Sequence, residues 1–131
     1  TADRNTKRRD GVLYSDPVAA ATRLFAGSIV CLDASGNAVP GATATTLTAR
    51  GVAQEQVDNR DGAAGDRRVE SRRGVFPFAN SASADEITRA DIGNSAYIVD
   101  DETVAKTDGT STRSVAGVIR DVDDSGVWVE I

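Results

Sequence analysis

Residues 91–131 read DIGNSAYIVDDETVAKTDGTSTRSVAGVIRDVDDSGVWVEI, and this stretch decides the fold class. Four short runs, 95–99, 103–107, 114–119 and 127–131, are rich in Val, Ile, Thr and aromatic residues, and clusters of Asp, Gly and Ser separate them. Asp108-Gly109 and Ser125-Gly126 put glycine where a tight turn needs a positive φ, and Asp100-Asp101 can bond back to their own backbone. The pattern predicts an antiparallel meander.

A chain of 131 residues is the size of one domain and removes roughly two-thirds of its unfolded surface from water without staples. Its single cysteine, Cys31, cannot form an internal disulfide and lies in the apolar run Ser28-Ile-Val-Cys-Leu32, which points to a buried thiol in a reducing compartment. No apolar run approaches the ~20 residues of a membrane helix and no signal-peptide core opens the chain, so a soluble, cytoplasmically made protein with no membrane partner is expected. With no Met in the chain and a small Thr1 at its start, removal of an initiator residue is expected as well.

The net charge of −5 is unevenly spread. Residues 1–23 hold Arg4, Lys7, Arg8, Arg9 and Arg23 against Asp3, Asp10 and Asp16, whereas residues 100–131 hold eight acids against Lys106, Arg113 and Arg120. Such asymmetry suits a protein that touches different partners, or copies of itself, with different ends, and argues against wholesale nucleic-acid binding.

Residues 1–11 are polar, charged and without apolar periodicity, so they form a flexible basic arm ahead of a single β-rich domain, residues 12–131. In residues 12–25, Pro17 starts an element, and the Ala-rich run that follows reads as extended rather than as a short helix. Residues 28–32 are apolar on both faces, as in a strand at the centre of a sandwich or barrel. Asp33-Ala-Ser-Gly-Asn37 is a hairpin turn with Gly36 and Asn37 in left-handed positions. Residues 40–48 form a loop feeding an edge strand, 51–57 a strand, 58–65 a loop, and 66–78 one long strand bulged at Gly74. Arg68, Glu70 and Arg72 alternate onto one face of that strand, against Val69 and Ser71 on the other. A short helical turn near Thr88–Ile92 starts on a Thr88 cap with Asp91 at its third position and ends at Gly93; Ser83-Ala-Asp-Glu86 is a second candidate capping box. The fold class is all-β: a small antiparallel barrel or sandwich, with the jelly roll among its forms.

Candidate chemistry is sparse. There is no His, so imidazole metal sites and His relays are excluded, and a lone buried Cys does not suit thiolate catalysis. Asp100-Asp101-Glu102 and Asp121-Val-Asp123-Asp124 could supply paired carboxylates but read as solvated turns. Asp121, Asp123, Ser125 and Gly126 match the first positions of a calcium loop, but no bidentate Glu stands at position twelve and β-type residues follow. No catalytic residue, metal or cofactor is expected. The partner-binding candidates are the arm cations Arg4, Lys7, Arg8 and Arg9, the cluster Arg67, Arg68, Arg72 and Arg73, and Trp128. The cluster reads either as a seat for an acidic partner or as a solvated face paired with Glu70 and the surplus acids. Few aromatics interleave with it, which disfavours nucleic acid. If Val127, Val129 and Ile131 face the core, Trp128 faces outward, under a loop or as an interface anchor.

Taken in order, Gly27-Ser-Ile-Val-Cys-Leu-Asp-Ala-Ser-Gly-Asn-Ala-Val39, Gly51-Val-Ala, Arg73-Gly-Val-Phe76, Ala90-Asp-Ile-Gly-Asn-Ser-Ala-Tyr-Ile-Val-Asp-Asp-Glu-Thr-Val104, Val115-Ala-Gly-Val-Ile and Gly126-Val-Trp-Val-Glu-Ile131 resemble the capsid decoration, or cement, proteins of tailed bacteriophages. The resemblance covers about residues 12–131 and leaves the basic arm outside it. It implies a structural virion protein that binds the outer surface of an assembled capsid, contacts the major capsid protein as a homo-dimer or homo-trimer, and stabilises the shell. The alternative is a carbohydrate-binding or lectin-like β module on a virion or larger assembly, with a carboxylate-dependent hydrolase third.

Overall fold

The computed structural model describes residues 1–131 and is all-β. Twelve strands follow in order: β1 (Leu13–Pro17), β2 (Thr22–Leu24), β3 (Ile29–Leu32), β4 (Ala38–Pro40), β5 (Thr48–Ala53), β6 (Val57–Asn59), β7 (Arg68–Arg72), β8 (Val75–Asn80), β9 (Ser95–Ile98), β10 (Thr103–Ala105), β11 (Val115–Asp123) and β12 (Gly126–Glu130). They form a five-stranded sheet ordered β1-β7-β5-β3-β4, a closed barrel ordered β10-β8-β12-β11-β9, and a two-stranded ribbon of β2 and β6.

The three units meet through β3. Ile29, Val30 and Cys31 are all fully buried, because the side chains of a strand alternate between two faces and both faces of this one are covered. Ile29 and Cys31, with Val52 of β5, join the apolar core of the barrel, whereas Val30, with Ala53 and Val69, packs against Leu24 and Val57 of the ribbon. The continuous apolar run at 28–32 is thus a strand between two cores, as its composition predicts. Its hairpin to β4 turns at Gly36, whose φ is +80°, while the Asp33 carboxylate accepts the Ser35 and Asn37 N–H groups. Asn37 itself keeps a negative φ, so one left-handed residue suffices.

Several elements differ from the sequence reading. The stretch 66–78 is two strands in two sheets: at Gly74 the chain leaves the five-stranded sheet for the barrel, and the Gly74 N–H and C=O both pair with Ile131. The C-terminal strands are not a simple meander. β11 pairs with β9 instead of β10, and three-residue β10 closes the barrel by pairing parallel to β8. The turn-rich 106–114 segment is long enough to carry the chain past β10 to the other edge of β9. β11 also runs on to Asp123, absorbing a register shift between Ile119 and Asp121. Pro17 ends β1 rather than starting an element; β1 is a sheet edge, and Pro17 sits where its missing N–H points away from β7. β5 begins earlier than expected and lies inside the sheet, not at its edge. At Gly117 an added Cβ would collide with the Glu130 carbonyl, so glycine is what lets β11 and β12 pair closely there.

The connection between β8 and β9 carries two single 3-10 turns, Ser83–Asp85 and Arg89–Asp91, in place of one helical turn. The second has the expected capping box between Thr88 and Asp91, and Gly93 follows at φ +96°. The first has no side-chain cap. Between them Ile87, 1% exposed, enters the barrel core, and burying such a side chain contributes about 1.5–3 kcal/mol. The Asn80 side chain holds it there, donating to the Ile87 carbonyl and accepting the Ile87 N–H.

One cross-strand pair has no local sequence signal. Arg50 of β5 reaches across β7 to Asp16 of β1, donating from Nε and Nη2 at 2.9 and 3.1 Å, and its guanidinium lies 3.7 Å from the centroid of the Tyr14 ring. Small Ser71, fully buried on β7, pairs in register with both Tyr14 and Ala53. The Asp16 side chain is 11% exposed and that of Arg50 28%, so removing one partner leaves a largely desolvated charge. Arg50→Met is predicted to lower the urea unfolding free energy by about 3 kcal/mol, near the low end for a buried pair because Arg50 keeps some water contact. Asp16→Asn added to it is predicted to recover at least half of that loss, as read from the double-mutant cycle.

Candidate partner-binding surface

The barrel covers only part of the sheet. On the face that β5 and β3 turn toward the barrel core, β7 presents Arg68, Glu70 and Arg72, and β1 presents the paired Pro17, Ser15 and Leu13. No layer lies over them: the three β7 residues are exposed, and Leu13 is 45% exposed. The opposite face of β7 buries Val69 and Ser71, so the predicted alternation is observed.

The pairing of this cluster with Glu70 is not formed. Glu70 lies on the same face between Arg68 and Arg72 and forms an ion pair with neither. Arg68 instead bends to the sheet edge and donates to the Ser15 hydroxyl and carbonyl. Nor do the four arginines form one cluster. Arg67 and Arg73 flank the strand with the opposite side-chain parity; Arg67 lines a polar cleft with Asp58, Asn59, Asp61, Gly62 and Asp66, and Arg73 donates to the Ile131 carbonyl.

The arm joins one part of this surface. Residues 1–10 are exposed and make no backbone hydrogen bond and no ion pair. Arg8 and Arg9 line, with Val12, Leu13 and Arg72, an open cleft of about 540 Å³. Two candidates that the sequence keeps apart, the arm and the β7 arginines, therefore meet at Arg8, Arg9 and Arg72, while Arg4 and Lys7 lie further out on the arm.

The distribution of paired charge is uneven. The six ion pairs use Arg50, Arg60, Arg89, Lys106, Arg113 and Arg120. Of fifteen Lys and Arg residues nine remain without a carboxylate: Arg4, Lys7, Arg8, Arg9, Arg67, Arg68, Arg72, Arg73, and Arg23, which stacks on Phe25 at 4.6 Å. Four of the acids opposite the engaged cations are lowered from the usual carboxylate range. The Arg60 fork takes Asp58 far below the usual carboxylate range, Thr107 and then Arg113 lower Asp85, the Thr88 N–H and then Lys106 lower Asp91, and Arg89 followed by the Val122 N–H lowers Asp121. Sequence reasoning missed these partners, which lie up to 34 residues apart, as for Arg50 and Asp16. The Arg23–Phe25 stack was missed too, although the two stand two apart on extended chain and hence on one face.

The remaining candidates sit elsewhere. Trp128 lies on the outer barrel face between Pro77 and Asp121, opposite buried Val127 and Val129, as its alternation predicts. It is half-buried, and its Nε1 is enclosed without an acceptor. In the calcium-like loop, the Asp121 carboxylate is taken by Arg89 at 2.6 Å and the Asp123 carboxylate caps the Ser125 N–H. The Asp100 carboxylate accepts the Glu102 N–H. Cys31 is fully buried, and desolvation pushes its thiol up to about 12.

No protein-family model matches the chain, and neither a curated protein nor a solved structure matches it.

Two outcomes are expected. A thiol so raised stays protonated at pH 8, so an aromatic disulfide reagent is predicted to label native Cys31 at the rate of unfolding and urea-unfolded protein within the mixing time. Labelling faster than unfolding would show that Cys31 is reached from the native state. If Trp128 is an interface anchor, Trp128→Ala is predicted to retain a cooperative unfolding transition yet weaken subunit or shell association, read by sedimentation, by about 2 kcal/mol or roughly thirtyfold. Loss of the transition would make Trp128 a residue of the fold.

Proposed function

We propose that this protein is a capsid decoration protein of a tailed bacteriophage: a non-enzymatic structural component that binds the outer surface of an assembled shell, contacts the major capsid protein as a homo-oligomer and stabilises the shell. The capsid assignment rests on the ordered resemblance of residues 12–131. The observation that carries the binding reading is the set of nine cations without carboxylate partners, eight of them on the arm and at β7, in a chain whose net charge is −5. A negatively charged protein with acids to spare has the means to neutralise those cations internally. Here six of its twenty acids pair with other cations, while Arg68 and Arg72 stand on a sheet face that nothing covers and the exposed arm cations lie beside it.

This arrangement suits an acidic, extended surface on a neighbouring protein. Each exposed ion pair contributes only about 0.2–1 kcal/mol, but a tethered arm acts at high effective concentration and many copies act on one shell. Exposed Val12 and Leu13, at the root of the arm, add an apolar contact between its cations and Arg72.

Purified protein mixed with undecorated capsids of the parent virus is predicted to co-sediment saturably and at fixed stoichiometry. Deleting residues 1–10 is predicted to leave the melting temperature nearly unchanged, to lower capsid affinity, and to make decorated shells easier to break by heat. The advantage of the full-length chain is predicted to shrink as salt rises. Equal binding by both forms across the salt range would remove the arm from the account, and binding to a glycan array without binding to capsids would replace decoration with carbohydrate recognition.

A further inference from the structure

We propose that the Lys7-Arg8-Arg9 run is a processing site for an endoprotease that cleaves after basic residues, and that cutting there detaches the basic arm from an otherwise protease-resistant domain. A protease must draw several residues of extended backbone into its active site, so a scissile bond is available where the backbone is exposed and free of hydrogen bonds. Residues 1–10 meet both conditions and hold three consecutive basic residues.

Arg4, also on the arm, meets both conditions as a single basic residue; the eleven basic residues beyond the arm do not. Arg23, Arg50, Arg68, Arg72 and Arg120 lie within paired strands. Arg67 and Arg73 continue the β1 ladder, the Arg67 carbonyl accepting from Val18 and the Arg73 N–H donating to Val12. The Arg89 carbonyl accepts the Ile92 N–H, Lys106 donates to the Asp85 carbonyl, and Arg113 donates to the Asp108 carbonyl. Arg60 is the nearest competitor, on an exposed turn, but its own N–H is held by the Asp58 carboxylate and the Gly62 N–H closes the turn onto Asn59.

The step is a hydrolysis. Water divides across one peptide C–N bond after Lys7, Arg8 or Arg9, the basic residue gaining a carboxylate and the following residue an amine, with no change of oxidation state. A cut after Arg9 removes four cations and Asp3, a net +3, and takes the chain from −5 to −8. On the decoration reading, on which this consequence rests, the trimmed form loses most of its affinity for an acidic shell, and an arm already seated on a partner is shielded from the cut.

The test is a time course of dilute trypsin on the native full-length protein, with intact mass measured at each point. The expected first products begin at Arg8, Arg9 or Asp10, form at least about a hundredfold faster than any cut in residues 12–131, and persist. First cleavage after Arg60, Arg67 or Lys106, or an arm that survives trypsin levels that digest the urea-unfolded chain, would overturn the proposal. The purified trimmed form is then sedimented with undecorated capsids. Undiminished binding would refute the arm's role on the shell while leaving the processing site standing, so the two failures are distinguishable.

Discussion

The structure depends on one strand being buried from both sides. β3 brings Ile29, Val30 and Cys31 to zero exposure, and the parity of a strand sends the first and third to the barrel and the second to the ribbon. Neighbouring β5 repeats the arrangement, with Val52 in the barrel core and Ala53 in the core shared with the ribbon. A polar substitution at Val30 or Cys31 would place an unsatisfied group between two close-packed apolar layers. The same burial accounts for the inert thiol, so one constraint explains both the architecture and the silence of the only cysteine.

Covering β3 on both faces has a consequence at the far edge of the sheet. The barrel is closed by five short strands and its core reaches Ile29, Cys31 and Val52 but not β7 or β1. The face carrying Leu13, Arg68 and Arg72 is therefore left open, and it is there that the arm departs. Elsewhere carboxylates are matched to cations by short contacts, at Arg60, Arg89, Arg113 and Arg120, which stitch turns and neighbouring strands together. Exposed pairs of this kind contribute little each to stability. They leave the unpaired cations, Arg23 apart, on the arm and at or beside β7.

Much of the fold was legible because it follows from short-range chemistry. The two-sided apolar run at 28–32, the Asp33 turn, the Thr88 capping box and the outward parity of Trp128 depend on residues within a few positions of each other. What was not legible depends on partners distant in sequence. Gly74 is as good a bulge as it is an exit from a sheet, and only the pairing of Ile131 with it decides between the two. Nothing in residues 95–119 says that β11 skips β10, since each strand has two edges and composition does not rank them. The candidate site was legible as a list of cations but not as a surface. That Arg8, Arg9 and Arg72 share a cleft, and that Arg67 and Arg73 stand apart from it, follows from the register of β1 against β7.

On the proposed function, the arm and the open face of β1 and β7 would be the surface that meets the shell. Amide hydrogen exchange of the protein bound to capsids, compared with the free protein, tests it most directly. The account predicts new protection concentrated in residues 1–17 and 67–73, with the barrel strands β9 to β12 changed little. Protection confined to the outer barrel face around Val75 and Trp128, with the arm exchanging as fast as in the free protein, would contradict it.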